Sequence, residues 1–397
     1  MTKSLRLGVA TTVGELTGLA SRALGRGRGE TIRGRAILTV DAGAIKKLAA
    51  GRDIVLVSGT NGKTTTTANL ARVLADGTDE PVSTSEFGAN MRAGIVAALA
   101  AKPRNHYVVL ECDELYLPEM YRLVAPKVIV LLNLSRDQLH RTGEVRKVAQ
   151  LWHNTFTRDD VTVVIDRDDP FLEYAVANAG HVVRVGFGGR KHPDAATCPA
   201  CSELLDWSAG DYRCECGLGS ELPTVRGERS LSGPGRNAVL AIEAARLMGA
   251  VVPLELAQEL TANPPDRVSE NQVAGRTVQT RLAKNPESWR TALAQVQAQN
   301  VILAVNARGI DGKDTSWLWD VDYQSLQGKN VVCIGERRRD VAYRVSVQGI
   351  APRVATSFAE AVALFDAAPI EAVASYTAFQ DLAAQQMGLN VTTGGRK

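Results

Sequence analysis

The segment Gly59–Thr65, with the sequence GTNGKTT, has the residue types of a site for nucleotide phosphates. Backbone N–H groups in a glycine-rich turn and at a helix N-terminus attract anions, because the helix dipole places partial positive charge there. Lys63 can reach the terminal phosphates, and the Thr64 hydroxyl can hold Mg²⁺, with Thr65 as a neighbouring candidate. The predicted ligand is therefore a nucleoside triphosphate with its metal ion.

This loop is shorter than the common phosphate-binding loop, in which four residues separate the first Gly from Gly-Lys. Here only Thr60 and Asn61 lie between Gly59 and Gly62. The two glycines permit a tight turn and a close approach of the backbone to the phosphates. We predict that the whole loop contacts the nucleotide.

A second segment, HYVVLECDE at residues 106–114, ends in acids. Side chains alternate along an extended chain, so Glu111 and Asp113 are expected on one face. A carboxylate at the C-terminal end of a parallel strand is well placed to bind a metal ion. The sequence predicts Glu111 as a second Mg²⁺ ligand and, with Lys63, as a catalytic group. The alternative is an ordinary acid at a strand end.

Four of the six cysteines, Cys198, Cys201, Cys214 and Cys216, lie within 19 residues. The C-x₂-C and C-x-C pairs predict two knuckles around one tetrahedral zinc ion, and four thiolates close its shell, so the zinc should be structural. The alternative is a set of unrelated free thiols. The acidic spacer SELLDWSAGDY argues against a nucleic-acid partner.

Strands and helices must position these groups. Residues 53–59 predict a buried parallel strand and residues 63–77 a helix, while residues 128–132 and 161–170 predict two further strands. This is a βαβ series. His140 follows the third strand, where it could bind metal or nucleotide or simply be solvated.

The last third of the chain predicts a smaller Rossmann-like α/β domain, with strands beginning near residues 301, 330 and 371. With 397 residues, two or three domains are expected. We place an N-terminal basic segment at 1–50, an ATP-binding domain at 51–262 with the zinc insert at about 195–220, and the C-terminal domain at 263–397. No apolar run approaches the roughly 20 residues of a membrane span, so we expect a soluble protein. The cysteines do not form a framework spread along the chain, which suggests a reducing cytoplasm.

The basic N-terminus contains Arg22, Arg26, Arg28, Arg33 and Arg35. Polar residues interrupt its apolar stretch, so it is a poor signal peptide. One interpretation is a helix packed on the next domain. The other is a surface that meets anionic lipid headgroups or a phosphorylated substrate.

Several of these segments resemble the Mur ligase family, the ATP-dependent amide ligases of cell-wall precursor synthesis. GTNGKTT is the family's loop, and NLSRDQLHRTGE, SGPGRNAVLAIEAA, PPDRVSENQ and LAKNPESW follow in the family's order. The resemblance implies that ATP phosphorylates a carboxylate and that an amine attacks the acyl phosphate. It also implies that Asn237 contacts adenine and that Arg267 reaches ATP from the next domain.

The zinc insert, the segment DGKDTSWLWD and the short stretch before the loop resemble the MurT group within that family. This resemblance implies the ligase subunit of a lipid II isoglutaminyl synthase, which converts D-glutamate of the lipid II stem peptide to D-isoglutamine. Its ammonia would come from a GatD-type glutamine amidotransferase in a heterodimer. It also implies an essential aspartate, Asp314 first and Asp311 second, although both could instead cap a loop.

The sequence thus predicts an ATP- and Mg²⁺-dependent amide ligase with structural zinc, in the cytoplasm or peripherally at the inner face of the membrane. Three rival hypotheses remain open. One is a Mur-type ligase that adds an amino acid, and another is a nucleotide-switched binding module that holds nucleic acid. The third is a scaffold subunit without catalysis, which would tolerate Lys63→Ala.

Overall fold

The computed structural model describes residues 3–23, 29–85, 89–137, 143–188, 191–208, 210–262, 268–308 and 314–386. The chain forms two compact units. The first consists of Met1–Ser135 and Glu144–Pro265, and the second of Arg136–Gly143 and Asp266–Lys397.

The described residues of the first unit form a parallel sheet with the strand order β2-β3-β1-β4-β5-β6-β7. Its strands are β1 (Asp53–Ser58), β2 (Val82–Thr84), β3 (Tyr107–Glu111), β4 (Val128–Leu131), β5 (Thr162–Asp166), β6 (His181–Gly186) and β7 (Val225–Arg226). Its helices are α1 (Lys3–Ala23), α2 (Glu30–Val40), α3 (Ala44–Ala49), α4 (Lys63–Thr78), α5 (Arg92–Ala101), α6 (Leu117–Val124), α7 (Val145–His153), α8 (Pro170–Ala175), α9 (Gly233–Leu247) and α10 (Leu254–Ala262).

Helices cover both faces of this sheet. Ile54 and Leu56 of β1 belong to one core cluster, with residues of α5, α6 and α7, whereas Val55 and Val57 belong to another, with residues of α4 and α9. A strand that is buried on both faces needs the continuous apolar run that β1 has. The predicted α/β class is confirmed.

Strands β1, β3 and β4 are adjacent and parallel, so their C-terminal ends lie at one edge of the sheet. β3 is shorter than the sequence suggested. It ends at Glu111, and Asp113 begins a turn in which its carbonyl accepts hydrogen bonds from the N–H groups of Tyr116 and Leu117. Glu111 and Asp113 therefore do not share one face of a continuous strand.

In the second unit the sheet order is β12-β11-β10-β13-β9-β8, parallel except for the antiparallel pair β8–β9. The strands are β8 (Val268–Val273), β9 (Arg276–Leu282), β10 (Asn300–Ala304), β11 (Asn330–Ile334), β12 (Arg353–Val354) and β13 (Ile370–Ala374). The α-helices are α11 (Pro286–Ala294), α12 (Arg338–Ser346), α13 (Phe358–Ala363) and α14 (Tyr376–Gln386). The Rossmann-like pattern is present, with a hairpin that the sequence analysis did not predict.

The N-terminal helices pack on the rest of the first unit. α1 lies against α2, and α2 lies against α5. Gly34 makes the second contact possible, because a Cβ added there would lie 1.7 Å from the Ala93 carbonyl oxygen. Within the described ranges, no helix has both the length and the apolar character that crossing a membrane requires.

Candidate active site and metal centre

The phosphate loop connects β1, which ends at Ser58, to α4, which begins at Lys63. The N-cap residue of α4 is Gly62, with φ 87°, and no side chain caps the helix. The first backbone N–H groups of a helix have no intrahelical acceptor. Those of Lys63, Thr64 and Thr65 are therefore suited to bind an anion.

Both glycines of the loop are required by close contacts. A Cβ at Gly62 would lie 2.1 Å from Nδ2 of Asn237, which α9 presents to the loop. Gly59 has φ 134°, and a Cβ there would lie 2.9 Å from the Asn133 carbonyl oxygen. The structure thus brings Asn237 to the phosphate loop itself.

Asn133, at the end of β4, holds the loop in position. Its carbonyl oxygen accepts the N–H of Thr60 and its Oδ1 accepts the N–H of Asn61, both at 2.9 Å. Its Nδ2 donates to the Asn61 carbonyl at 3.0 Å. These two loop amides are therefore engaged with Asn133, which the sequence analysis did not single out. The N–H groups that start at Gly62 remain the better candidates for phosphate contacts.

Lys63 is only 8% exposed. Its Nζ donates to the Gly59 carbonyl at 2.5 Å and to Oε2 of Glu114 at 3.2 Å. Sequence reasoning missed Glu114, although its position in the acidic run ECDE was a signal. The buried ion pair places a carboxylate beside the lysine of the phosphate loop.

Glu111, at the end of β3, is 3% exposed and lies in register with Val57 of β1. Its Oε1 accepts a hydrogen bond from Nδ2 of Asn90 at 3.3 Å. Mg²⁺ prefers oxygen ligands, usually one or two carboxylates with water and phosphate. The oxygen donors of Glu111 and of the half-buried Thr64 fit such an ion.

We expect Gly62→Ala to weaken ATP binding at least about tenfold. A non-glycine residue avoids the left-handed conformation, which costs it about 1–2 kcal/mol, and leaving it would move the N–H groups at the start of α4 away from the phosphates. The added Cβ would also displace Asn237. Nucleotide titration by calorimetry measures the change. Gly51→Ala is the matched control, since Gly51 also has a positive φ, 74°, but nothing lies within 4 Å of an added Cβ. Equal ATP affinity in the two variants would contradict the role given to the Gly62 contact.

We expect Glu111→Gln to raise the Mg²⁺ concentration for half-maximal activity at least about tenfold, since even changes to groups that hydrogen-bond to metal ligands cost about 10–100-fold in affinity. The amide keeps the shape of the side chain and an acceptor for Asn90. Activity is measured as a function of Mg²⁺ at fixed ATP, with Glu119→Gln on α6 as the control. An unchanged Mg²⁺ dependence would leave Glu111 as an ordinary acid at a strand end.

The four predicted zinc ligands converge. The Sγ atoms of Cys198, Cys201, Cys214 and Cys216 all lie within 4.8 Å of one another. Two of the separations are 3.6 Å, between Cys198 and Cys216, and 3.4 Å, between Cys201 and Cys214. Tetrahedral zinc with Zn–S bonds of 2.3 Å places its sulfurs about 3.8 Å apart. The donor set therefore fits a zinc ion.

This cysteine lobe is joined to the sheet by Arg167, which follows β5. Arg167 is 5% exposed, and it donates to the carbonyls of Gly219 and Glu221 and to the carboxylate of Asp211. Its own carbonyl accepts the hydroxyl of Tyr212 at 3.0 Å. A cleft of about 480 Å³ lies beside the lobe.

A buried charged cluster near the start of α9 was not predicted. Nη1 of Arg236 lies 3.3 Å from Asp166 and 3.1 Å from Asp168, and the guanidinium stacks on the ring of Phe187. Burial and the neighbouring Asp168 raise the pKa of Asp166 to about 7. Asp166 and Asp168 thus both pair with Arg236, which is the residue that precedes Asn237 in the chain.

The remaining predicted residues are placed as follows. Asp314 belongs to the second unit, and its Oδ1 accepts the N–H of Ser316 at 2.9 Å. Arg267, Asp311 and His140 lie outside the described residues. Their expected roles stay predictions.

Two family models match the chain. Residues 57–213 match the Mur ligase middle domain, and residues 282–379 match the C-terminal part of MurT ligase. Together the matched residues make up well over half of the chain.

Curated relatives of this chain include proteins named lipid II isoglutaminyl synthase (glutamine-hydrolyzing) subunit MurT. The protein of Staphylococcus aureus strain N315 is 27% identical over 387 residues, with 86% of this chain and 88% of the relative covered. The protein of Streptococcus pneumoniae strain R6 is 28% identical over 395 residues, with the same coverage. A solved structure of MurF from Acinetobacter baumannii has a TM-score of 0.61 at 17% identity, with 89% of this chain and 80% of that chain covered, which is a likeness of fold.

Proposed function

We propose that this chain amidates the α-carboxyl of D-glutamate in the stem peptide of lipid II. The chain belongs to the Mur ligase family and, within it, to the MurT ligases. A carboxylate oxygen attacks the γ-phosphorus of ATP, ADP leaves, and an acyl phosphate forms. Ammonia then attacks the acyl carbon, and inorganic phosphate leaves. The product is D-isoglutamine, the α-amide of D-glutamate. The names of the two relatives, which contain lipid II, isoglutaminyl and glutamine hydrolysis, support this substrate and reaction.

The observation that carries the proposal is the uncapped N-terminus of α4 next to the buried Lys63. Such a site binds phosphates and stabilises the charge of the transferred phosphoryl group, which is most of what catalysis of phosphoryl transfer requires. We assign phosphate contacts to the loop Gly59–Thr65, chiefly to its N–H groups from Gly62 onward, and the terminal phosphates to Lys63. Asn237 is assigned to the nucleotide from α9, and Arg267 to ATP from the segment before β8.

Glu111 and Thr64 would hold Mg²⁺, which neutralises phosphate charge when bound. Glu114 has a different task in this proposal. It is the partner of Lys63 before ATP binds, and the phosphates replace it as the anion next to the ammonium group. Exchange of one anion for another keeps the ammonium group of the buried lysine paired in both states.

We propose that a separate glutaminase is the source of the ammonia. Cys112 and Cys333 are fully buried, and burial raises the pKa of the Cys333 thiol to about 12. Neither can act as an accessible thiolate nucleophile. We propose a GatD-type amidotransferase as the partner in a heterodimer. Asp314, with Asp311 as the second choice, is assigned to the glutaminase site of that partner. The reaction is placed in the cytoplasm, at the inner face of the membrane.

The test supplies lipid II whose glutamate α-carboxylate contains ¹⁸O, with ATP, Mg²⁺, glutamine and the partner subunit. Mass spectrometry should find the amide and one ¹⁸O atom in the inorganic phosphate, because the acyl phosphate transfers that oxygen. In a parallel reaction without the partner, ammonium chloride should replace glutamine. Omission of ATP is the control.

A second candidate is a Mur ligase that joins an amino acid to a carboxylate, which the match to the middle domain also permits. A mixture of amino acids in the same assay distinguishes the two. Incorporation of an amino acid in place of ammonia would support this candidate and refute amidation. Neither product from a folded, zinc-loaded chain would refute both.

A further inference from the structure

Helix α1 exposes an apolar stripe, formed by Leu5, Val9, Leu16 and Leu19, which are 42–63% exposed. With 100° per residue, these positions fall within about 80° of arc on one side of the helix. The exposed side of a helix on a globular protein is normally polar. Four large apolar side chains in one row therefore require an explanation, whereas single exposed ones do not.

The stripe is distinct from the side of α1 that packs. Ala10 is fully buried, and Gly14 and Gly18 lie opposite the stripe. A Cβ at Gly14 would lie 2.5 Å from the Ile37 side chain, so glycine permits the close packing of α1 on α2. The apolar residues of the stripe are thus not needed for the contact between α1 and α2.

Positive charge is concentrated in the same segment. Residues 1–35 contain seven Lys or Arg and two Asp or Glu, a net charge of +5, whereas the whole chain has +3. Arg6 and Arg22 lie on the two sides of the stripe, and Arg35 is exposed on α2. One of the two acids, Glu15, lies 3.6 Å from Arg33.

We propose that the stripe of α1 is a docking surface for a membrane that contains anionic phospholipids. A helix with an apolar side and flanking basic residues lies in the interface plane, with its leucines among the acyl chains and its arginines at the phosphates. The charge argues for lipid rather than for an uncharged protein surface. The docking surface is independent of the proposed reaction, and it would bring a ligase to any lipid-linked substrate.

The test is flotation of the full chain with vesicles that contain no lipid II, so a failure of the ligase reaction cannot affect it. Wild type should float with vesicles of phosphatidylcholine and phosphatidylglycerol, and less with phosphatidylcholine alone. L16E/L19E should reduce the bound fraction at least about tenfold, since each buried leucine contributes several methylene groups. Both positions are exposed and Glu is a good helix former, so the fold should be retained.

Leu254→Glu on α10 is the matched control, because Leu254 is 67% exposed but lies outside the segment. It should bind vesicles as the wild type does. Wild type that does not float with anionic vesicles, or L16E/L19E that floats equally well, would overturn the proposal. So would a wild-type dimer that L16E/L19E converts to a monomer without any vesicle binding, because the stripe would then join two copies of the chain.

Discussion

Replacing Lys63 with alanine is expected to lower ATP-dependent amide formation by on the order of 10³-fold. The side chain is 8% exposed, and its ammonium group lies beside the loop carbonyl of Gly59 at the start of α4. A positive charge in a site with little water stabilises a transferred phosphoryl group far more strongly than it would in bulk solvent. Initial rates of amide and ADP formation at saturating substrates measure the loss.

A second variant separates catalysis from folding, because Lys63→Ala leaves Glu114 buried without its cation. Breaking a buried pair costs about 3–5 kcal/mol. The double variant with Glu114→Ala removes both charges, so it should recover much of the free energy of unfolding but none of the activity. Lys127→Ala, at an exposed ion pair with Asp53, should be fully active. Amide formation at the wild-type rate in either Lys63 variant would show that Lys63 does not carry the chemistry.

Replacing Cys201 and Cys216 with serine is expected to abolish zinc binding. Each knuckle then loses one thiolate, and the lobe has little core besides Tyr212 and Leu205. Zinc contributes about 10–16 kcal/mol to the folding of small isolated zinc domains. We therefore expect the lobe to unfold and become sensitive to protease. Because Arg167 connects it to the sheet, the first unit should also melt at a lower temperature.

Metal analysis after dialysis gives the zinc content, and limited proteolysis locates the cleavage within residues 198–220. Cys333→Ala, which changes a buried cysteine of the second unit, is the control and should keep one zinc ion per chain. A strong chelator should reproduce the double variant in the wild type. Full zinc content in the double variant would mean that the metal, if any, is bound elsewhere.

Local patterns were enough for several features. GTNGKTT predicted a turn and a helix start, and the structure has both, with Gly62 at the N-cap and Lys63 as the first helical residue. The apolar run of β1 predicted a strand buried on both faces. The spacing of the four cysteines predicted two knuckles, and their sulfurs converge.

The sequence analysis missed one element of the fold and overestimated the length of another. The hairpin β8–β9 has a two-residue turn at Ala274 and Gly275, both with positive φ. Only the glycine was a signal, because alanine rarely adopts that conformation. The strand β3 was predicted too long, since ECDE looks extended until the turn formed by Asp113 is seen. There the start of α6 overrides the alternation of the strand.

The sequence by itself determined the α/β class, the phosphate loop and the cysteine lobe, because each depends on residues within about 20 positions of one another. Only the tertiary structure showed that Glu114 pairs with Lys63, 51 residues away. It alone also showed that Asn133 accepts a hydrogen bond from Asn61 of the loop, 72 residues away. Only packing decided which side of α1 is buried and which remains exposed. Such contacts depend on how parallel strands align and how helices pack on them, and that arrangement has no periodic signature along the chain.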